Sequence, residues 1–306
     1  MDKETEFLTS LDEGRLVEAK DWMPDAYRRE LIRLISIHGV SELMGALPEK
    51  EWIPRAPTLQ RRLALMAKVQ DEMGHAQLLL RLVEDLLAPV GRTREDILQD
   101  LFESRQKFHN VFHLEVPTWA DVGIIAWLVD GAAVITQGML LNGSYGPYRR
   151  VLRRIVEEES FHLQHGESVC MALAEGNKRQ RAELNAALQR WWPALMMFFG
   201  PKDSAQGSRH QAINLRYRLR TESNESLRQR FLTKYVPRIR ALGLVIPDPQ
   251  LQKSAEGPWT YEEPDWVRFH EIINNRGPKS AARIRLKSTT YAEGRWIRQA
   301  LAHTVI

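Results

Sequence analysis

Apolar side chains recur along most of this chain at intervals of three and four, and strand-like alternation is scarce. That rhythm predicts helices, because residues three and four apart share a helix face. Leu31, Leu34, Ile35, Val40, Leu43 and Met44 carry it through a first long helix, expected over residues 23–47, opened by Pro24 and ended by Pro48. Residues 48–57, with prolines at 48, 54 and 57, read as a connection. Thr58 suits the cap of a second helix running to residue 87, stopped by Pro89 and Gly91. Thr93 caps a shorter helix to about residue 106. From Trp119 to residue 141 the polar face disappears, which predicts a helix buried on all sides. A turn at residues 142–147 leads to another long helix, 147–175, and further helices are expected over 178–198, 223–242, 265–274 and 279–302. The expected organisation is a polar lead-in (1–22), a helical domain (23–242), and a Gly/Pro-rich linker with a C-terminal helical tail (243–306).

Composition narrows the class. At 306 residues, 43% hydrophobic and 27% charged, the chain is ordinary for a soluble globular protein. Its one cysteine, Cys170, excludes an intrachain disulfide and favours a reducing cytoplasm. Met1 to Glu6 lack the apolar core of a signal peptide. The apolar stretch 122–135 reads as too short for a membrane span and contains Asp130. A net charge of +4 suits an anionic ligand and is too weak to argue for nucleic acid.

The candidate chemistry lies on the long helices. Glu72 and His75 stand three apart, so a carboxylate and an imidazole project to one side of the second helix. Glu159 and His162 repeat the spacing on the helix after the turn. Glu42 lies among apolar neighbours on the first helix, and Asp130 in the most apolar segment of all. A lone ionised carboxylate at Asp130 would be very costly; it must be neutral, paired or bound to a cation. From Asp130 to the turn is ~18 Å of helix, and from the turn to Glu159 the same, so the two meet at one level of a hairpin. The order Glu, Glu-x-x-His, Asp, Glu-x-x-His on four helices with one long crossover matches ferritin-like di-iron carboxylate bundles, with Asp where Glu is usual. Six such donors suit two iron or manganese ions better than zinc. The bland alternative is surface ion pairs and satisfied core histidines. Glu157 and Glu158 read as solvated, His165 as a structural residue or an outer partner of the site, and His38 is given no role.

Specific segments go further. Residues 21–24, 55–59, 68–72, 144–148, 158–162 and 192–197, and the run Trp127-Leu128-Val129-Asp130-Gly131-Ala132-Ala133, resemble the catalytic alpha subunits of ring-1,2-phenylacetyl-CoA epoxidases, bacterial multicomponent di-iron monooxygenases. The resemblance covers nearly the whole chain and accounts for the Asp at position 130. It implies an all-α, ferritin-like four-helix bundle core with additional C-terminal helices. It implies two iron ions held by Glu42, Glu72, His75, Asp130, Glu159 and His162, with the four acids as the catalytic carboxylates. The implied reaction places one atom of O2 across ring carbons 1 and 2 of phenylacetyl-CoA. Electrons would come from NADPH through a separate reductase carrying FAD and an iron–sulfur cluster. The other implied partners are a homologous beta subunit without the metal set and a small accessory subunit; no membrane or nucleic acid is implied. Another di-iron acyl-CoA oxygenase, a ferroxidase or a metal-free scaffold are the alternatives.

A CoA thioester carries about four negative charges that basic residues must meet. Lys68, one turn before Glu72, is expected near the mouth of the site; Arg33, Lys107 and the alternating Arg216, Arg218 and Arg220 are the other candidates. For each arginine a solvated helix face is an equal reading. Trp266, Phe269, Ile272, Ile273 and Trp296 in the tail read as a docking arm, with packing on the core as the alternative.

Overall fold

The computed structural model describes residues 2–202 and 209–302; the last four residues of the expected tail lie outside them. Helix α1 (Lys3–Asp12) is followed by α2 (Asp25–Lys50) and α3 (Leu59–Leu87), which pack along their lengths as one hairpin. Thr58 is extended and accepts the N–H of Arg61, so it caps α3 as its residue type favours. The crossover carries α4 (Arg94–Phe102) and a single helical turn at Asn110–His113. The second hairpin is one rod packed against α7 (Gly146–Ala174): α5 (Trp119–Ile124), a π-helical stretch (Ile125–Val129) and α6 (Asp130–Leu140). These two hairpins form a ferritin-like bundle in an otherwise all-α chain. Helix α8 (Lys178–Phe198) covers α5 and α7. After α9 (Arg209–Arg216), helix α10 (Asn224–Ala241) covers α6. A short β1 (Gln252–Lys253) and β2 (Trp259–Thr260) pair precedes α11 (Trp266–Glu271), α12 (Ser280–Glu293) and α13 (Arg295–Ala302).

Several boundaries differ from expectation for local reasons. Pro48 does not end α2, because in the last turn a proline disturbs only the carbonyl four residues back. The lead-in is helical, and Phe7 and Leu11 are buried in the core. The Gly/Pro-rich stretch is a strap rather than a free linker: Leu244, Leu251, Trp259 and Tyr261 are buried, and the Gln229 side chain bonds the Trp259 backbone in both directions. By length and composition, Trp119–Leu140 would suffice to cross a bilayer, but 78% of its apolar window is buried in the bundle.

The tail is anchored on the crossover. Ser280 and Arg283 on α12 grip the crossover turn: Lys279 N–H donates to the His113 carbonyl (3.0 Å), Arg283 donates to the Leu114 carbonyl (2.5 Å) and to that of Phe112, and Ser280 bonds His113. Ile272 and Ile284 are buried, whereas Val267, Trp296 and Ile297 are exposed.

Close packing of the second hairpin depends on glycine at one point. A Cβ at Gly166 on α7 would lie 2.4 Å from the backbone of Ala126 and Trp127, and backbone cannot move aside. Gly166→Ala is expected to destabilise by roughly 1–3 kcal/mol, read as a lowered denaturation midpoint. Gly138→Ala, where a Cβ meets open space, should leave stability unchanged or raise it by up to ~1 kcal/mol.

Candidate metal centre

Each core helix brings an acid inward at one level. Glu42 (α2), Glu72 and His75 (α3), Asp130 (α6), and Glu159 and His162 (α7) are all 8% exposed or less. Donor atoms of Glu42, Glu72, His75 and Glu159 lie within 4.8 Å of one another, and so do those of Glu72, Asp130 and His162. The six residues singled out from sequence therefore converge as two donor groups sharing Glu72. The π stretch delivers Asp130: its N–H bonds the carbonyl of Ile125, five residues back, and the wider turn re-aims the residue that follows it.

Each imidazole is oriented by an acid on the facing helix. His75 Nε2 is 2.8 Å from Glu158 Oε2, and His162 Nε2 is 3.2 Å from Asp71 Oδ2. An ionised carboxylate only accepts, so each Nε2 carries hydrogen, and Nδ1 is the ring atom facing the inward acids, able to bind a cation once any proton on it is displaced. His75 Nδ1 is 3.7 Å from Glu42 Oε2 and 3.8 Å from Glu159 Oε1, buried and without a hydrogen-bond partner. His162 Nδ1 lies 3.1 Å from Glu159 Oε2 and 3.7 Å from Glu72 Oε1. An orphaned buried nitrogen among inward carboxylate oxygens fits a cation, so this cluster can hold metal.

Several participants escaped the sequence reading. Glu158 is not simply solvated; it orients His75, and Asp71 does the same for His162. Both act across the α3–α7 interface, so no spacing within one helix marks them. His38 bonds Glu42 at 2.8 Å, and its place four residues earlier on α2 was a usable signal. Glu49 is buried because α2 continues past Pro48. His165 meets none of the six; its ring lies edge-on to Trp119.

Lys68 is not at the mouth. It is 2% exposed, with Nζ 2.8 Å from Glu49 Oε2, 2.5 Å from Glu72 Oε1 and 3.1 Å from Asp130 Oδ2. Burial works against its charge, but Asp130, Glu49, Glu72 and Glu159 together raise its pKa well above the ordinary value. Burial also raises Asp130 to about 7 despite Lys68, and raises Glu72 well above the carboxylate range. Burial opposes ionisation of Glu42 too, yet the neighbouring Glu72 carboxyl and the His38 and His75 imidazoles hold it well below that range. His75 is raised to about 9, because bonds and charge from Glu42 and Glu159 outweigh burial.

A cavity of about 210 Å³ opens onto the acids. Engineered apolar cavities of about 150 Å³ take a benzene, so it has room for an aromatic ring. Glu42, Glu72, Asp130 and Glu159 line one side; Leu34, Ile37, Phe112, Val129, Ala133 and Phe198 are among its apolar walls. Arg33 and Arg220 reach it. The other cations expected for an anionic ligand do not line it. Lys107 is exposed. Arg216 pairs with Glu4 at 3.2 Å, and Arg218 donates to the Leu11 carbonyl at 3.0 Å. Helix α9 ends at Arg216 and Arg218 is left-handed (φ 53°), so the alternation of arginines does not put them on one face.

Metal uptake here must displace protons, which gives two opposed pH trends. Asp130 and His75 have raised folded pKa values, so their contribution to metal-free stability is full below their unfolded values. It is lost as pH rises through about 7 and about 9 respectively. The unfolding midpoint of the metal-free protein should fall between about pH 6 and about pH 9.5, while divalent-cation affinity rises over the same span. A metal-free midpoint that climbs across this range would contradict the assignment.

Comparison with known proteins agrees with this geometry. A family model described as phenylacetic acid catabolic protein matches residues 1–296. The chain is 45% identical over 306 residues to a subunit of 1,2-phenylacetyl-CoA epoxidase from Escherichia coli (strain K12), covering 99% of this chain and 97% of that protein. A match of this extent, on a bundle whose four core helices converge six buried donors, means that the chain belongs to the phenylacetic acid catabolic protein family.

Proposed function

We propose that this chain is the catalytic subunit of a multicomponent monooxygenase that epoxidises the aromatic ring of phenylacetyl-CoA in aerobic phenylacetate degradation. The observation that carries the reading is an apolar cavity with four buried carboxylates along one side, two buried imidazoles grouped with those carboxylates and arginines reaching the cavity, in a chain 45% identical to an epoxidase subunit. Glu42, Glu72, His75, Asp130, Glu159 and His162 hold two iron ions. When bound, the irons supply the electrons needed to activate O2, which a closed-shell arene does not give up to O2 directly. A separate reductase subunit passes these electrons from NADPH through FAD and an iron–sulfur cluster. One oxygen atom enters the ring across carbons 1 and 2 and the other leaves as water. The assembly, in the cytoplasm, is completed by a homologous non-catalytic beta subunit with a small accessory one.

The chain's own residues have distinct tasks. The apolar walls receive the phenyl ring and exclude water from a reactive site. Arg33 and Arg220 meet the charged end of the CoA thioester. Glu158 and Asp71 hold the two imidazoles in orientation. Lys68 pairs with Glu49, Glu72 and Asp130, so metal binding at Glu72 and Asp130 would have to loosen two of its contacts.

Loading with ferrous iron without oxygen, followed by metal analysis, tests the centre. The wild type should carry about two irons per chain. Asp130→Ala should carry one or fewer, and lose NADPH-dependent oxidation of phenylacetyl-CoA with the partner subunits present. A wild type that takes up no stoichiometric iron would reduce the family membership to a shared fold. For the cations, Arg33→Gln and Arg220→Gln should each raise KM for phenylacetyl-CoA about tenfold or more with kcat little changed. An unchanged KM would remove that arginine from substrate binding.

A further inference from the structure

Behind Glu42 stand a half-buried imidazole, His38, and a buried hydroxyl, that of Tyr148. His38 lies one turn before Glu42 on α2, so both project to the same side. Its Nε2 is 2.8 Å from Glu42 Oε1. Its Nδ1 is 2.7 Å from the hydroxyl of Tyr148, which is 3% exposed near the start of α7. Donor chemistry fixes the direction of both bonds. Ionised Glu42 only accepts, so His38 Nε2 carries the hydrogen and donates it. The neutral ring then has its lone pair on Nδ1, and the Tyr148 hydroxyl donates to that. Gln137, whose amide oxygen is otherwise buried without a partner, lies 3.4 Å from the same Nε2 and offers a second acceptor once its amide is turned. One tautomer and one ring orientation satisfy the group.

The consequence falls on the carboxylate. Oε1 of Glu42 is held by His38, while Oε2 faces His75 Nδ1 at 3.7 Å, inside the donor group of Glu42, Glu72, His75 and Glu159. Lys68, which holds Glu72 and Asp130, has no ion pair with Glu42. We infer that His38, fixed by Tyr148, is a positioning residue: it ties down one oxygen of Glu42 and presents the other to the metal ion of that donor group only. The inference rests on the metal-centre reading and adds a division of labour between the two groups.

Cobalt(II) titration of the metal-free chain, followed by its visible absorption and by metal analysis after gel filtration, tests it. The wild type should bind about two ions. His38→Leu should weaken one of the two by about 10–100-fold and leave the other unchanged. Tyr148→Phe, which keeps the ring and removes the donor, should weaken the same ion by a smaller factor. It also reads the site should His38→Leu fail to fold. His38→Gln, whose amide can still donate to Glu42, should recover most of the loss. Unchanged affinity for both ions would overturn the inference. So would equal weakening of both together with a lowered melting temperature of the metal-free chain, which marks a general structural role. Failure of the wild type itself to bind cobalt would sink the centre rather than this detail of it.

Discussion

Negative charge cannot be collected in an apolar bundle without compensation, and most of this structure follows from how it is compensated. Glu42, Glu72, Asp130 and Glu159 are buried where four helices converge, and Glu49 is buried two turns further along the helix of Glu42. Burying one such charge alone costs several kcal/mol even after relaxation. One ammonium, that of Lys68, and two imidazolium-prone histidines offset part of that cost, and retained protons offset more, which is why Asp130 and Glu72 titrate high. Lys68 and the retained protons therefore offset the charge of converged acids that a bound cation would otherwise have to offset.

The same constraint explains why so much of the centre was legible before any coordinates. The Glu-x-x-His spacing puts both donors on one helix face by geometry alone, and a carboxylate inside the most apolar segment, Asp130, is conspicuous because it demands a partner. What depended on the register between helices was not legible. Glu158 and Asp71 are ordinary surface-type acids on their own helices; only the closeness of α3 and α7 brings them to the imidazoles. Lys68 reads equally well as a basic residue at a pocket mouth or as an interior counter-ion, and the difference is set by the reach of Glu49 on a helix that outlasts its proline. The π stretch had no sequence signal, because the apolar run around it is uniform.

The fold was legible in its long elements and misleading in its short ones. Four long helices follow from unbroken apolar rhythm. The lead-in, the strap at residues 243–264 and the turn at Asn110–His113 are held by contacts with distant parts of the chain, such as Gln229 with Trp259, and composition alone makes such segments look like loose linkers.

The grip of α12 on the crossover turn has a consequence in time as well as space. All six candidate metal donors lie between residues 42 and 162, so a nascent chain has made every one of them when little more than half synthesised. Phe112, a wall of the cavity beside the acids, has its backbone carbonyl held by Arg283, close to the end. The candidate donors are thus all encoded before residue 163, but a wall of the cavity beside them is tied down by a residue near the end. A truncated or unfinished chain would present the donors without the finished enclosure that makes them safe to use.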